Sequence, residues 1–427
     1  MLKTNTLIIL QKITQALTGL ITAIFVLNFL NPYEQGFFYT MGSLLNAYLL
    51  LDLGLSALIV QKSAKYFSGL SWDNDNLLRN NKRSLFFISF FKWVYSWYKF
   101  LSFLILFIIP LGYFYFFFSG HELKFNFFLP LVCMVLALSF SMPSIGILSV
   151  LEGAKKINQV YLIKLTHYII GAALAWILLY SGYGIYAQSA APFAVILTVY
   201  LYIFLRFKKL GPSFKNQTNS FSWRSEILPQ QKRNCIGWFS NYIFLHTPVL
   251  VIFYYMSPAE AGKLGLTMVI ANISISIAMS PITSITPKIS ELAKVDTISR
   301  TTRIFILNLF KSIFLIIFGT LFFYLTLLYF QDYEILKRIL VPNYILIIFI
   351  SFSFFYIVLA FMIFFRSYDK EPLAIPSFIT IILFVFFGVF FLKSYGLIGF
   401  ICTMLICLLL LFIYSILFFL YFIKTRK

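Results

Sequence analysis

Long apolar stretches recur along almost the whole chain, and each is about as long as a helix that crosses a bilayer. A hydrocarbon core of about 30 Å requires about 20 apolar residues per helix. Hydrophobic residues make up 61% of the sequence and charged residues only 11%. The sequence therefore predicts an all-α polytopic membrane protein with about twelve spans, at residues 5–30, 36–61, 96–119, 125–151, 157–181, 184–206, 235–256, 264–287, 308–330, 340–365, 373–393 and 396–422.

A short pattern, Pro-x-Glu-x-Gly, occurs twice, at Pro32 and at Pro258, each time directly after a long apolar stretch. Neighbouring polar residues keep the same spacing, so that Asn46 corresponds to Asn272. The chain is therefore interpreted as a duplication into two pseudo-symmetric halves of six spans. Because six is even, both halves enter the membrane in the same orientation. We expect a six-helix bundle at 1–206, a cytoplasmic linker at 207–234 and a second six-helix bundle at 235–427.

Basic residues lie mainly on one side of the predicted membrane, although the formal net charge is +20. The outer connections hold few of them: Lys124, Lys263, Lys337, Arg338 and Lys393. The positive-inside rule then places both termini in the cytoplasm. This distribution favours a multi-pass protein of the cytoplasmic (inner) membrane, in contact with membrane lipids, and argues against a nucleic-acid partner. No cleavable signal peptide is predicted, because polar residues interrupt the first apolar stretch.

Three charged residues lie well inside predicted spans, away from the span ends, where an isolated charge costs several kcal/mol. At about 1.5 Å per residue, Lys12 and Lys164 lie roughly 10 to 12 Å inside the cytoplasmic boundary, and Asp52 is at a similar level. One interpretation is an inner vestibule that attracts a phosphate or pyrophosphate group through its lysines. The alternative is that Lys12 forms an ion pair with Asp52 on the next helix and has a structural role only.

Other polar residues add to this set of candidates. Gln11 and Gln15 share one face of span 1, because they are four residues apart. His167 follows Lys164 by three residues in span 5, and His246 lies in span 7. Each histidine could relay protons near neutral pH, or could simply form a hydrogen bond with a neighbouring helix.

Enzyme-like motifs are present but lack the surrounding structure that they need. Asp73-Asn74-Asp75 resembles a metal-nucleotide motif, but it lies in a short loop between apolar spans. Gly182-x-Gly184-x-x-Ala187 resembles a dinucleotide-binding turn, but it joins two spans, so a tight turn is predicted there. The four cysteines show no metal-ligand spacing. The sequence predicts neither an enzyme nor a metal site.

Several segments resemble the O-antigen flippases (Wzx type), which belong to the superfamily that also contains the MATE multidrug transporters and the lipid II flippase. The likeness extends over the whole chain in length, helix number and duplication. Where family members often carry an acidic and a basic residue in span 7, this chain has His246-Thr247-Pro248. The matching segments are Pro32-Tyr33-Glu34-Gln35-Gly36, Asp52-Leu53-Gly54-Leu55, Leu151-Glu152-Gly153 and Ser257-Pro258-Ala259-Glu260-Ala261-Gly262.

This resemblance implies two six-helix bundles in a V shape that work by alternating access. It implies a flippase for an undecaprenyl-pyrophosphate-linked oligosaccharide, driven by a proton or sodium gradient without a bound cofactor. A glycan polymerase and a chain-length regulator are further expected partners. The residues expected to bind substrate are Lys12, Lys164, Gln11, Gln15, Asn241 and Asn272. The residues expected to couple ions or to gate are Asp52, His167 and His246.

Two other functions remain open at this point. A MATE-type multidrug or cation antiporter would share the fold but should have acidic groups in its cavity, whereas lysines outnumber Asp52 here. An integral-membrane glycan polymerase or ligase should have an extended outer loop with catalytic Arg or His residues, and the predicted outer connections are short.

Overall fold

The computed structural model describes residues 4–73, 76–77, 82–121, 126–206, 221–295, 298–330, 333–368 and 370–425. Within it the chain divides into two compact units, residues 1–235 and 236–427. Part of the predicted linker, residues 207–220, lies outside the described residues, as do Asn74 and Asp75 of the acidic motif. The rest of that linker contains helical residues, from Trp223 onward.

The first unit is built from helices, with one two-residue antiparallel ladder between β1 (Trp72–Asp73) and β2 (Asn76–Leu77). A 3₁₀ helix, Gly184–Ser189, follows the tight turn that the sequence predicts after span 5. The α-helices are α1 (Thr4–Phe29), α2 (Pro32–Leu45), α3 (Tyr48–Asp52), α4 (Leu55–Tyr66), α5 (Lys82–Ile105), α6 (Ile108–Phe118), α7 (Phe128–Gly153), α8 (Ile157–Tyr180), α9 (Ala190–Arg206), α10 (Trp223–Glu226) and the start of α11 (Leu228–Tyr255).

The second unit contains the remainder of α11 and a 3₁₀ helix, Glu334–Arg338. Its other helices are α12 (Pro258–Ala278), α13 (Ser280–Val295), α14 (Ile298–Tyr329), α15 (Pro342–Arg366) and α16 (Ala374–Lys424). On the outside of α14, the rings of Phe314, Phe318 and Phe322 are 62 to 69% exposed at every fourth position. Such an apolar stripe is the surface that a bilayer would cover.

The repeated Pro-x-Glu-x-Gly pattern begins α2 and α12, with the proline in the first turn of each helix. Asn31 and Glu34 form a complete capping box at α2, in which each side chain accepts a hydrogen bond from the other's backbone N–H, at 2.9 and 3.1 Å. At α12 the Ser257 hydroxyl accepts from the Glu260 N–H at 3.2 Å. Each glutamate thus lies in the first turn of its helix, where its charge suits the helix dipole.

Predicted span 2 is broken between α3 and α4, with a bend of 42°. Leu53 and Gly54 both adopt left-handed backbone conformations, with φ of 44° and 74°. That region is unfavourable for a residue with a side chain. The second unit has a milder interruption at the corresponding place, Met279, where φ is −82° and ψ is 2°.

The segment from Ser84 to Lys99, which has the composition of a separate helix lying at the membrane interface, instead forms most of α5. Helices α5 and α6 together make one apolar segment of 37 residues, which at about 1.5 Å per residue is longer than the hydrocarbon core is thick. Phe87, Phe90, Val94 and Tyr98 are buried inside the unit. The segment is therefore continuous with the rest of α5 and packs one face inside the unit.

The 51 residues of α16 cannot be one straight span, because at about 1.5 Å per residue they would be roughly 75 Å long. Gly396 has φ of 66° and interrupts the segment. The ring centroids of Phe384 and Phe400 are 5.3 Å apart, so the chain reverses direction between them. The described part has ten helices long and apolar enough to cross a membrane, or eleven with the broken pair. With α16 divided at Gly396, the twelve predicted spans are accounted for.

Candidate functional site

Asp52 is the last residue of α3 and lies directly before the break in span 2. Its side chain is buried, with 4% exposure. The Tyr98 hydroxyl donates a hydrogen bond to Oδ1, and the Ser56 hydroxyl donates one to Oδ2 at 2.9 Å. Both donors are neutral. The carboxylate is therefore hydrogen-bonded but not charge-compensated among the described residues, which is unusual for an acid within a membrane span.

Tyr98 is held against Asp52 by a glycine on α7. A Cβ atom added at Gly146 would lie 2.5 Å from the Tyr98 ring, closer than real Cβ contacts allow. The ring is fully buried. The absence of a side chain at position 146 therefore lets Tyr98 reach the acid.

The break next to Asp52 leaves backbone carbonyls without partners in their own helix. The side-chain amide of Gln231, near the start of α11, donates to the carbonyls of Asp52 and Leu53 at 3.2 and 3.0 Å. A carbonyl without a partner costs several kcal/mol in a membrane, so this glutamine satisfies a specific need. The Gln231 Oε1 atom is itself buried without a hydrogen-bond partner.

Residues 221–231, here called the docking segment, are attached to the first unit at several further points. The Tyr66 hydroxyl donates to Glu226 Oε2 at 2.6 Å, and Lys62 Nζ is 3.8 Å from the same oxygen. Phe221 packs on the rings of Tyr66 and Phe90, with centroids 6.3 and 5.2 Å away. The chain that leads into α11 is thus tied to the broken span.

Lys164 forms an ion pair with Glu152 at the end of α7, with Nζ and Oε2 2.8 Å apart. The Tyr161 hydroxyl donates to the other carboxylate oxygen at 3.2 Å, and Lys164 Nζ lies 4.7 Å from the Tyr161 ring centroid. Sequence reasoning treated Glu152 only as part of a family motif and missed this pair. The sequence did contain a signal for it: Glu152 lies near the end of one apolar span, and Lys164 lies in the next span.

The neighbouring Gly153 explains how α7 can approach α4. A Cβ atom there would be 2.3 Å from the Val60 carbonyl oxygen. The Ser63 hydroxyl donates to the Val150 carbonyl at 2.7 Å in the same crossing. The Leu151-Glu152-Gly153 motif therefore combines a close backbone contact with a charged group.

Lys12 is exposed on α1, and no ion pair joins it to Asp52 among the described side chains. The structural alternative of a Lys12–Asp52 pair is wrong, because Asp52 is bonded by Tyr98 and Ser56. Gln11 donates to Gln15 at 3.3 Å, so the predicted polar face of α1 exists. The structure thus separates the two predicted lysines: Lys164 is paired, and Lys12 is accessible.

The remaining predicted residues lie in different surroundings. His167 Nδ1, on α8, is buried without a hydrogen-bond partner. In the second unit, Asn241 Oδ1 is also buried without a partner, and the His246 ring lies 5.4 Å from that of Tyr242. Asn272 accepts a hydrogen bond from the Tyr356 hydroxyl. These side chains form no cluster of His, Cys, Asp or Glu able to hold a metal ion in the part searched.

Comparison with protein families and with curated proteins finds no match. Solved structures do match. A multidrug resistance MATE family transporter of the MOP superfamily, in an inward-facing conformation, has a TM-score of 0.73 and 13% identity over 97% of this chain and 95% of that chain. The MATE multidrug transporter DinF-BH has a TM-score of 0.67 and 13% identity over 97% of this chain and 94% of that chain.

The lipid II flippase MurJ, in an inward closed conformation, has a TM-score of 0.58 and 13% identity, covering 95% of this chain and 87% of that chain. At such low identity these likenesses establish the fold alone. The chain has the all-helical fold that MATE transporters and this flippase share, as the resemblance implied. It shares this fold with proteins of different cargo, so the cargo must be argued from the residues.

Proposed function

We propose that this protein is a transporter, and specifically a flippase that moves an undecaprenyl-pyrophosphate-linked oligosaccharide from the cytoplasmic to the outer face of the cytoplasmic membrane by ion-coupled alternating access. The shared fold supports the transporter class, since the matching structures are named as transporters or as a flippase. The choice of cargo rests on the charges of the first unit. O-antigen repeat units or similar surface glycans fit this cargo class.

The observation that carries the proposal is the contrast between the two acids of the candidate site, which have partners, and Lys12, which is exposed. Both acids of the candidate site already have partners: Asp52 has Tyr98 and Ser56, and Glu152 has Lys164 and Tyr161. Lys12 is exposed. An anionic pyrophosphate would therefore meet an accessible ammonium, with Gln11 and Gln15 on the same helix as further donors. A cationic drug would have to displace an existing partner to reach a carboxylate.

Ion coupling is assigned to Asp52. A proton bound at one of its oxygens would turn an acceptor into a donor, so Tyr98 or Ser56 would have to rearrange. Because the break at Leu53 and Gly54 follows immediately, such a rearrangement acts at the most distorted backbone of the span. His167 and His246 remain candidates for proton transfer, and Asn241 and Asn272 for contacts with the glycan.

The proposal is tested by reconstituting the protein in liposomes and measuring translocation of a fluorescent polyprenyl-pyrophosphate oligosaccharide. Lys12→Ala and Lys164→Ala should lower the rate to near background at unchanged protein abundance. Lys311→Ala is the matched control, since Lys311 is an exposed lysine on α14, near the start of the predicted span 308–330. Wild-type rates in both lysine variants would contradict the assignment of the pyrophosphate contacts.

A test with a second cargo, a cationic dye, distinguishes the MATE-type alternative from the flippase. Cells that express the protein should show no protection from a cationic dye and no dye export, while the surface glycan should depend on the gene. Dye export that survives Lys12→Ala and disappears with Asp52→Asn would favour the antiporter. Co-purification with a glycan polymerase or a chain-length regulator would support the expected partners.

A further inference from the structure

A cationic pocket lies where α4 ends and α5 begins, at the end of the first unit that the charge distribution predicts to be cytoplasmic. It has a volume of about 460 Å³. Its lining consists of Lys65, Tyr66, Ser68, Lys82, Arg83 and Phe86. Three of these side chains are cations, one is a hydroxyl and two are aromatic rings.

The described acid that contacts the lining of this pocket, Glu226, forms no ion pair with the three lining cations. Glu226 accepts from the Tyr66 hydroxyl at 2.6 Å and lies 3.8 Å from Lys62 Nζ, which is outside the lining. None of the described ion pairs involves Lys65, Lys82 or Arg83. A dianionic or monoanionic group would therefore be attracted here without displacing an existing ion pair.

The walls of the pocket are fixed by packing. The rings of Tyr66 and Phe86 meet edge to face at 5.1 Å, and Phe221 of the docking segment packs on Phe86 at 5.8 Å. Gly69 has φ of 80°, and Arg83 Nη1 lies 3.3 Å from the position of a Cβ atom there. The turn after α4 is tied to the end of α7 by Trp72, whose Nε1 donates to the Ala154 carbonyl at 2.8 Å. The basic side chains thus lie at the adjoining ends of α4 and α5.

The surroundings distinguish this pocket from an ordinary solvated basic surface. Leu85, next to the lining residues on α5, is 44% exposed, so an apolar side chain is accessible beside the cations. Basic pockets between transmembrane helices on the cytoplasmic side are a recurrent way to bind lipid headgroups. Headgroup phosphates lie at the level where apolar and basic surfaces meet.

We propose that this pocket binds the phosphate of an anionic phospholipid headgroup, with Lys65, Lys82 and Arg83 as its charged contacts and Ser68 as a hydroxyl donor. The same chemistry would accept free phosphate, but the adjoining apolar surface favours a lipid. The site is separate from the vestibule lysines, and its occupation does not depend on whether the protein carries a glycan.

The test uses the full-length protein in detergent, with short-chain phosphatidylglycerol added and retained lipid measured by native mass spectrometry. Phosphatidylglycerol should be retained in preference to zwitterionic phosphatidylcholine. The double variant Lys82→Ala/Arg83→Ala should weaken binding by roughly 30-fold. Each basic group near an anionic membrane surface contributes about 1 kcal/mol, and about 1.4 kcal/mol corresponds to a factor of ten in affinity. The matched control, Lys232→Ala/Lys424→Ala, removes the same charge from two other exposed positions and should bind like wild type.

Two results would overturn the proposal. One is equal retention of phosphatidylglycerol by the double variant and by wild type. The other is displacement of the lipid by inorganic phosphate at millimolar concentration, which would identify a site for soluble phosphate. The thermal transition of the double variant shows whether it is folded. If it is unfolded, Lys65→Gln, which changes a single exposed side chain, must weaken phosphatidylglycerol binding several-fold for the proposal to stand.

Discussion

The two broken helices of the duplicated pattern, α2 to α4 in the first unit and α12 to α13 in the second, begin alike and then differ. Both begin with a capped Pro-x-Glu turn and are interrupted at the corresponding distance along the chain. In the second unit the interruption is small, and the Met279 carbonyl accepts from the N–H of Ile282 and Thr283, at 3.1 and 3.2 Å. The backbone therefore satisfies its own hydrogen bonds there.

In the first unit the same place holds a left-handed pair of residues, a buried acid and carbonyls satisfied by Gln231. Ala278 occupies the position that corresponds to Asp52. Duplication has thus kept the helix starts and the location of the break, while the buried acid next to the break is found in the first unit. Equivalent changes in the two units should therefore have unequal effects.

The largest difference is expected for Asp52 and its counterpart. Asp52→Asn removes the charge but keeps the shape of the side chain, and transport should fall to background because no proton can bind there. Ala278→Ser, a small polar change at the corresponding position, should leave more than half of the rate. Both are measured as translocation in liposomes at equal protein content. Loss of transport in both variants, or in neither, would remove the proposed division between the units.

The next largest difference concerns glycines. Gly153→Ala would place a Cβ atom 2.3 Å from the Val60 carbonyl oxygen, and the backbone has to shift, at a cost of about 1–3 kcal/mol or more. Gly319→Ala, on α14 of the second unit, meets nothing within 4 Å and should be neutral or stabilising by up to about 1 kcal/mol. The two variants are compared by their thermal unfolding midpoints in detergent. Equal midpoints would mean that α4 and α7 do not approach as closely as described.

Gly146→Ala separates packing from transport within the first unit. Its Cβ atom would displace the Tyr98 ring and so remove a hydrogen bond to Asp52. We expect transport to fall several-fold even where the unfolding midpoint shows that most of the protein remains folded. An unchanged rate would mean that Tyr98 has no role in holding the acid.

The spans and the duplication can be predicted from sequence because both depend on local properties: an apolar run of about 20 residues, and a capping pattern that repeats. The break in span 2 could not be predicted in the same way. Leu53 has no local preference for a left-handed backbone, and its conformation depends on the partners that Asp52 and Gln231 find elsewhere in the chain.

The partners of the charged residues were predictable only in part. Tyr98 is one of 27 tyrosines and lies in an aromatic segment whose composition resembles an interfacial helix. Its contact with Gly146 and its hydrogen bond to Asp52, both on different helices, distinguish it from the others. Lys164 was identified as a candidate from its depth in span 5, but its pairing with Glu152 depends on how α7 and α8 pack. Depth in a span is a local property, and the choice of partner is not.

A smaller effect is expected at the docking segment, where two neighbouring glutamines differ in their surroundings. Gln231→Ala would leave the carbonyls of Asp52 and Leu53 without a side-chain donor, which should cost about 1–3 kcal/mol of stability. Gln230→Ala removes only an exposed bond of 3.3 Å to Gln61 and should cost about 0.5 kcal/mol or less. Urea titration of the detergent-solubilised protein, followed by tryptophan fluorescence, compares the two. Similar losses would mean that water or another group replaces Gln231 at the break.

The smallest difference is expected for the two capped helix starts, at α2 and α12. Asn31→Ala removes one side of a two-bond capping box, and Ser257→Ala removes a single bond of 3.2 Å. A helix cap contributes about 0.5–2 kcal/mol, so we expect Asn31→Ala to cost about 1 kcal/mol and Ser257→Ala about half of that. Because neither cap bonds to Asp52 or Gln231, transport should remain close to wild type in both. A loss of transport in Asn31→Ala at normal stability would show that the start of α2 is coupled to its break, and the repeated pattern would then have a role beyond helix capping.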